Sequence, residues 1–422
     1  MAKPKLALIP ASQGPLVYSV LPSDGSGDFS FSRGSSATRI NSQGLIETVA
    51  SGDSRLDYPL IDGVVSGCPS LLLENSATNL IGYSEDFSDS SWSKNSITVE
   101  SNSSISPDGS LNADKITKSA SNALIRQYIS TTGANTFSVY VKKGSLSWVR
   151  LYIASSTESA ECWFDLENGL TGHTSGNPDD IKIVPMGNGW YRCIITKNTT
   201  NINNFRIYPS QADDNIFGTS GDIYVYGAQV EVGSYPTSYI PTNGTTVTRL
   251  AETANGAGDA TTFNDSEGVL MAEISALADD SSFKLFGINS GATGNDIVIL
   301  GYANVSNTLY VNTKIGSTSV ITSTAISIDQ KSFNKILVKY KSGSNSIYVN
   351  GFKLDSNTNT FTPTGNQLSE LEFSYYTNTL QFYGKTKQIQ YYNTALTDSE
   401  LEELTSWESF TAMAYGQLYT ID

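Results

Sequence analysis

Hydrophobic and polar residues alternate with a two-residue period along most of this chain. Leu270-Met271-Ala272-Glu273-Ile274, Ile336-Leu337-Val338-Lys339-Tyr340, Ser346-Ile347-Tyr348-Val349-Asn350-Gly351-Phe352 and Lys387-Gln388-Ile389-Gln390-Tyr391-Tyr392 read as half-buried strands. The same pattern gives Phe137-Ser138-Val139-Tyr140-Val141, Trp148-Val149-Arg150-Leu151-Tyr152-Ile153, Cys162-Trp163-Phe164-Asp165-Leu166, Trp190-Tyr191-Arg192-Cys193-Ile194-Ile195, Phe205-Arg206-Ile207-Tyr208 and Ile223-Tyr224-Val225-Tyr226. Turn dipeptides such as Asn188-Gly189 separate them. One helix signal stands out. In Ala395-Leu396-Thr397-Asp398-Ser399-Glu400-Leu401, Thr397 and Glu400 have the spacing of a capping box. The pattern predicts an all-β fold, two antiparallel β-sandwiches of jelly-roll type in tandem.

The boundaries follow from breaks in the pattern. Residues 1–84 are punctuated by Asp24-Gly25-Ser26-Gly27-Asp28, Arg33-Gly34-Ser35-Ser36 and Ser51-Gly52-Asp53, and Leu71-Leu72-Leu73 is their one strong apolar run. They read as an extended arm with short strands, packed on a neighbour or another chain and too poor in apolar residues to fold alone. Strands at jelly-roll spacing fill 85–243. A linker spans 244–262, a second sandwich 263–406, and a C-terminal packing tail 407–422 with Trp407, Phe410, Tyr415 and Tyr419.

Composition narrows the function. Of 422 residues only 16% are charged, against roughly 25% in an average soluble domain. The formal charge is −15, and Lys142-Lys143 is the largest basic pair. Nucleic-acid phosphates require clustered cations, so that class of partner is excluded. No stretch approaches the ~20 apolar residues of a membrane span, and the N-terminal apolar run, broken by Pro10, is short for a signal-peptide core. Assembly in a cytoplasm is expected. Cys68, Cys162 and Cys193 have neither zinc-site nor disulfide-framework spacing and read as buried thiols.

Catalytic signatures are sparse. A retaining glycosidase needs two carboxylates about 5–5.5 Å apart; Glu370-Leu371-Glu372 is the nearest pair and lacks a third acid. His173, the single histidine, has no Gly-x-Ser-x-Gly partner and reads as a loop residue. Ser106-Pro107-Asp108-Gly109 matches a sialidase Asp box only in part. Calcium candidates are Asp24 with Asp28, Asp179-Asp180, Asp213-Asp214 and Asp279-Asp280, none at EF-hand spacing; ordinary turn aspartates are the default reading, and no cofactor is assigned. Sugar binding uses an aromatic platform beside amides. Tyr375 and Tyr376 with Asn378 are the chosen carbohydrate-binding residues, and Tyr302 with Asn304 the second candidate. Trp148, Trp163 and Trp190 read as core.

Several runs carry a resemblance. Phe29-Ser30-Phe31-Ser32-Arg33-Gly34-Ser35-Ser36-Ala37-Thr38-Arg39-Ile40-Asn41, Asn79-Leu80-Ile81-Gly82-Tyr83-Ser84-Glu85-Asp86-Phe87 with Trp92, Asn188-Gly189-Trp190-Tyr191-Arg192, and the stretch from Gly227-Ala228-Gln229-Val230 through Tyr239-Ile240-Pro241-Thr242 are similar to tailed-phage virion structural proteins. There the middle region resembles a carbohydrate-binding-module jelly roll. The order of strands, Val-Asn-Gly hairpin, strands and capped helix resembles the concanavalin A-like, laminin-G-like sandwich. The resemblance implies a virion appendage, a head or tail fibre or decoration. The expected protein is assembled in the host cytoplasm, attached to other virion proteins through the N-terminal arm and homo-oligomeric, and it binds host surface polysaccharide without cleaving it, because the acid triplet and a catalytic histidine arrangement are missing. A polysaccharide-degrading enzyme on the same sandwich and a bacterial surface adhesin are the alternatives.

Overall fold

In a computed structural model, which describes residues 3–291, 294–365, 367–376 and 379–407, the chain is almost entirely antiparallel sheet. The tail from 408 onward and Asn378 lie outside the described residues. Among the described residues no helix is long and apolar enough to cross a membrane.

The first sandwich is one sheet folded over on itself. Its path runs Ile97–Ile105, Leu111–Lys118, Gly221–Val232, Thr131–Lys143, Trp190–Ser210, Trp148–Ser155, Ala160–Asp165 and Leu170–Ser175. The 21-residue strand Trp190–Ser210 makes the fold-over. Its first half pairs with Thr131–Lys143 and Asp180–Pro185, its second half with Trp148–Ser155 and Leu124–Gln127. The register slips on both sides near Ile202, and Asn201 takes a positive φ of 54°. Asparagine tolerates that conformation well, so the strand turns there from one layer into the other. Alternation then fills the space between layers. Phe137, Val139, Val141, Cys193 and Ile195 meet Val149, Leu151, Ile153, Cys162, Phe164, Phe205 and Ile207. The rings of Phe137 and Phe205 stand 5.5 Å apart. The remaining parity of the second layer faces outward.

The second sandwich packs an eight-stranded sheet on a five-stranded one. The large sheet contains Phe352–Asn357, Asn345–Val349, Asn334–Lys341, Glu267–Ala276 and Gly384–Tyr392; the small one Thr318–Ser323, Leu309–Ile315, Ile297–Tyr302, Lys284–Asn289 and Glu370–Glu372. The Val-Asn-Gly hairpin forms as expected: Asn350 and Gly351 both have positive φ, 50° and 87°, as a two-residue type I′ turn requires. Helix Asp398–Thr405 closes the outer face of the large sheet, with Leu401 on Val269, Met271, Leu337 and Tyr348. Both halves of its capping box are made. Thr397 Oγ1 accepts the Glu400 amide at 3.4 Å, and the Thr397 amide donates to Glu400 Oε2 at 3.0 Å. Replacing Thr397 with alanine is expected to cost about 1 kcal/mol, measurable as a lowered denaturation midpoint with unchanged circular dichroism.

The first 84 residues form short strands packed on a neighbour, and that neighbour is the second sandwich of the same chain. Leu6–Leu8 and Ser70–Leu73 both hydrogen-bond to Gly384–Tyr392, and Arg55–Asp57 extends the sheet beyond Ser70–Leu73. The segment thus completes the large sheet of the second sandwich. Leu6, Leu8, Val17, Phe29, Phe31, Leu71 and Leu73 enter its core, while Ile81 enters the core of the first. The expected linker is tied in as well. Ala77–Asn79 pairs with Val247–Arg249, and Phe29–Ser32 with Thr253–Asn255. The strands expected to serve attachment are engaged within the chain.

A buried ionic cluster locks this junction. Arg33, Arg55, Arg249, Glu74 and Glu252 are each no more than 3% exposed. Glu252 receives Arg33 Nη1 at 2.7 Å and Arg55 Nε at 2.8 Å, and also the Glu74 amide at 2.8 Å. Glu74 receives Arg249 Nη1 at 2.7 Å, Arg55 Nη2 at 2.8 Å and Ser238 Oγ at 2.6 Å. Such charges persist in the interior only when paired and hydrogen-bonded. The Arg33-Gly34-Ser35-Ser36 motif is therefore structural at this place.

Candidate functional site

The outward parity of the second layer of the first sandwich collects arginines and aromatic rings. In Trp148–Ser155, Val149, Leu151 and Ile153 point inward, so Arg150 and Tyr152 point out. The partner strands do the same with Trp163 and Glu161, with Arg206 and Tyr208, and with Arg126. The register places these in two rows across the sheet. One row runs Arg126, Arg206, Tyr152, Glu161; the other runs Tyr208, Arg150, Trp163. At about 4.8 Å per strand, neighbours in a row touch.

The contacts are cation–π stacks. The Arg150 guanidinium lies 4.5 Å from the Tyr208 ring centroid and 4.8 Å from those of Tyr152 and Trp163. Arg206 lies 4.9 Å from Tyr152, and Arg126 4.8 Å from Tyr128. Arg150 also pairs with Glu161. Arg206 donates to Asn204 Oδ1 at 2.5 Å and to Tyr208 Oη at 3.1 Å. The stacks hold the guanidinium planes and rings in fixed orientation. Tyr152, Arg206, Arg126 and Glu161 remain half-buried and Tyr128 is exposed, while Arg150, Trp163 and Tyr208 are buried, so the row Arg126, Arg206, Tyr152, Glu161 is the part a ligand can reach. At one end His173 stands edge-on to Trp163 at 5.5 Å, and its peptide N–H donates to Asp213 at 2.7 Å. His173 lies on strand Leu170–Ser175 and not in a loop.

Two tryptophan readings are corrected here. Trp163 is buried, but against Arg150 and His173 on the outer face and not between the layers. Trp148 is only half-buried. Trp190 is buried in a smaller cluster with Tyr140, Tyr226 and Tyr239. Of the cysteines, Cys162 and Cys193 are buried, and burial pushes the Cys162 thiol up to about 12; Cys68 is exposed.

Tyr375 and Tyr376 sit on the second sandwich, with ring centroids 4.5 Å apart. Both are half-buried against Leu285, Ile297 and Ile299, on the outer face of the small sheet, beside Phe283 and Tyr310. Burial pushes the Tyr375 hydroxyl up to about 12. The Asn378 contribution lies outside the described residues. Tyr302, expected exposed beside Asn304, is fully buried and donates its hydroxyl to Ile274 O at 3.0 Å.

Several of the acidic candidates are occupied by protein donors. Asp24 caps a turn at Ser26, Asp179 takes the Asn198 amide, Asp279 takes Ser306 and Gln330, and Asp280 takes Ser282 and Lys284. Among the described residues no group of three or more histidine, cysteine or acidic side chains is placed to hold a metal ion. Glu372 accepts Asn289 Nδ2 at 2.8 Å, and burial raises its carboxyl above the usual range. A separate cleft of about 470 Å³ lies between the sandwiches, lined by Tyr58, Met186, Phe333 and Lys385 among others. Of its cations, Lys385, Lys182, Arg39 and Lys387 pair with Asp57, Asp180, Glu47 and Glu273, and Arg192 donates to Thr237 O and Ser138 Oγ.

No protein-family model and no curated protein matches the chain. Among solved structures, the CBM40 domain of the Ruminococcus gnavus IT-sialidase is 17% identical over 36% of this chain and 92% of its own, with a TM-score of 0.30. Domain 4 of AbnA, a GH43 extracellular arabinanase from Geobacillus stearothermophilus, in complex with arabinotriose, is 15% identical over 41% of this chain and 84% of its own, also at 0.30. A mutant NanB sialidase from Streptococcus pneumoniae is 19% identical over 34% of this chain, which spans only 24% of that sialidase, with a TM-score of 0.29. Likeness at this level carries no ligand and no activity over to this chain.

Proposed function

We propose that this protein binds surface polysaccharide, without cleaving it, on the outer face of its first sandwich, as a non-enzymatic component of a tailed-phage particle. The observation that carries the binding site is the accessible row of Arg126, Arg206 and Tyr152, with Tyr128 beside it, held in place by the buried Arg150, Trp163 and Tyr208 beneath. Flat rings offer stacking area to the apolar face of a sugar. Guanidiniums beside them donate hydrogen bonds in fixed directions. An open sheet face accepts a chain of sugars passing over it, where a closed pocket takes one small molecule. The virion role rests on the sequence runs beginning at Phe29, Asn79, Asn188 and Gly227. Many copies on one particle would add shallow sites into firm attachment.

Replacing Tyr152 with alanine removes the ring shared by Arg150 and Arg206 while leaving the inward Leu151 and Ile153 untouched. Its expected effect is roughly tenfold weaker retention on a polysaccharide array, from about 1–2 kcal/mol of lost stacking. The folded protein should melt as the parent does. Retention equal to the parent's would remove this face from consideration. The Tyr375–Tyr376 pair is a second platform on the same proposal, favoured by its 4.5 Å ring contact beside Phe283 and Tyr310. The double alanine variant at those positions reads its share in the same assay.

A further inference from the structure

We infer that the sugar held on this face is acidic, with its carboxylate taken between Arg126 and Arg206. This rests on the glycan reading of the face and specifies its ligand. Three observations lead to it. First, Arg126 and Arg206 are direct cross-strand partners. Like charges placed opposite each other on a sheet repel. Neither is paired with a carboxylate in the hydrogen-bond network: Arg206 is held by Asn204 Oδ1 and Tyr208 Oη, and Arg126 stacks on Tyr128. An anion between them turns the repulsion into two attractions.

Second, the face has donors without acceptors. Arg126 Nε, Arg150 Nε and Trp163 Nε1 are buried atoms with no hydrogen-bond partner. Trp163 is 3% exposed and Arg150 is 8% exposed. Buried polar atoms are nearly always paired, and these three groups can only donate. Of the three, Arg126 is the one on a half-buried side chain of the accessible row, and a ligand oxygen beside it supplies the nearest missing acceptor. Third, the local charge runs against the chain. Three arginines face one acid, Glu161, which Arg150 already engages; Asp213, at the His173 end, takes the His173 amide. The whole chain carries −15. The two oxygens of a carboxylate match the fork of a guanidinium, and Tyr152 beside Arg206 gives the sugar ring its stacking surface.

The test uses the full chain against immobilised polygalacturonate, alginate and hyaluronan, the carboxyl-reduced form of each, dextran, and dextran sulfate. Retention on at least one carboxylated polymer is expected, falling at least tenfold on carboxyl reduction and with rising salt. Arg126→Gln and Arg206→Gln, both at half-buried positions, should each lower retention at least tenfold with unchanged melting. Arg206→Lys, which keeps charge and loses the fork, should fall between. Retention on neutral polymers alone, lost in Tyr152→Ala, would overturn the acidic-sugar inference and leave the glycan reading standing. Retention on dextran sulfate alone, or retention unmoved by both glutamine variants, would overturn the carboxylate site. No retention on any polymer would overturn inference and reading together.

Discussion

Glutamine at position 252 is expected to cost the folded protein about 3–5 kcal/mol, the usual penalty for removing one member of a buried ion pair. Glu252 is 1% exposed and neutralises two guanidiniums, Arg33 at 2.7 Å and Arg55 at 2.8 Å. Without its charge, three arginines share the single carboxylate of Glu74 in the interior. The loss should fall on the junction. The residue bonds a segment that completes the second sandwich to a strand leading out of the first. Urea denaturation followed by tryptophan fluorescence and by far-ultraviolet dichroism reads the effect. A midpoint within experimental error of the parent's would show that the cluster is not holding the junction.

Acid should act through the other carboxylate of the cluster. Burial pushes the Glu74 carboxyl up, but Arg249 and Arg55 outweigh burial and hold it down at about 2, against an ordinary 4.5. A group whose folded-state pKa is depressed adds stability above its unfolded pKa and loses it as pH falls through the folded one. Glu74 should therefore contribute fully above about pH 4.5, and on the order of 3 kcal/mol of that should disappear between there and pH 2. Melting temperature should fall steeply over that window in the parent. In Glu74→Gln it should start lower at pH 7 and fall less across the same window. Parallel curves for the two proteins would contradict this assignment.

The parts of the fold that the sequence discloses are those written in local periodicity. Alternation in Trp148-Val149-Arg150-Leu151-Tyr152-Ile153 marks a strand with one apolar side, and the Thr397–Glu400 spacing marks a helix start; both form. The first 84 residues were harder to read because their fixing charges look like surface. Arg33 bonds Glu252 from 219 positions away, and no local pattern registers such a pair. Short strands such as Leu6–Leu8 carry too few residues to show a period, yet they complete a sheet whose partner strand is Gly384–Tyr392.

The proposed binding face is half legible in the sequence. Phe205-Arg206-Ile207-Tyr208 and Trp148-Val149-Arg150-Leu151-Tyr152 each place arginine and an aromatic residue on the same parity, opposite their apolar neighbours. That shared parity was a usable signal. What sequence alone does not give is the register that sets Arg206 beside Tyr152 and Arg150 between Tyr208 and Trp163. Trp163 sits in a strongly apolar strand, flanked by Cys162 and Phe164 that face inward, while its own side chain points the other way. Tyr302, expected exposed beside Asn304, is carried into the core by strand Ile297–Tyr302.

The claim that this face binds polysaccharide is tested most directly by comparing the parent with the Tyr152→Ala, Arg206→Ala double variant on one polysaccharide array, with reducing ends assayed in the same wells. The account predicts that the parent is retained, that the double variant melts normally but is retained at least tenfold less, and that neither releases reducing ends. Equal retention of the two proteins, or sugar release by the parent, would contradict it.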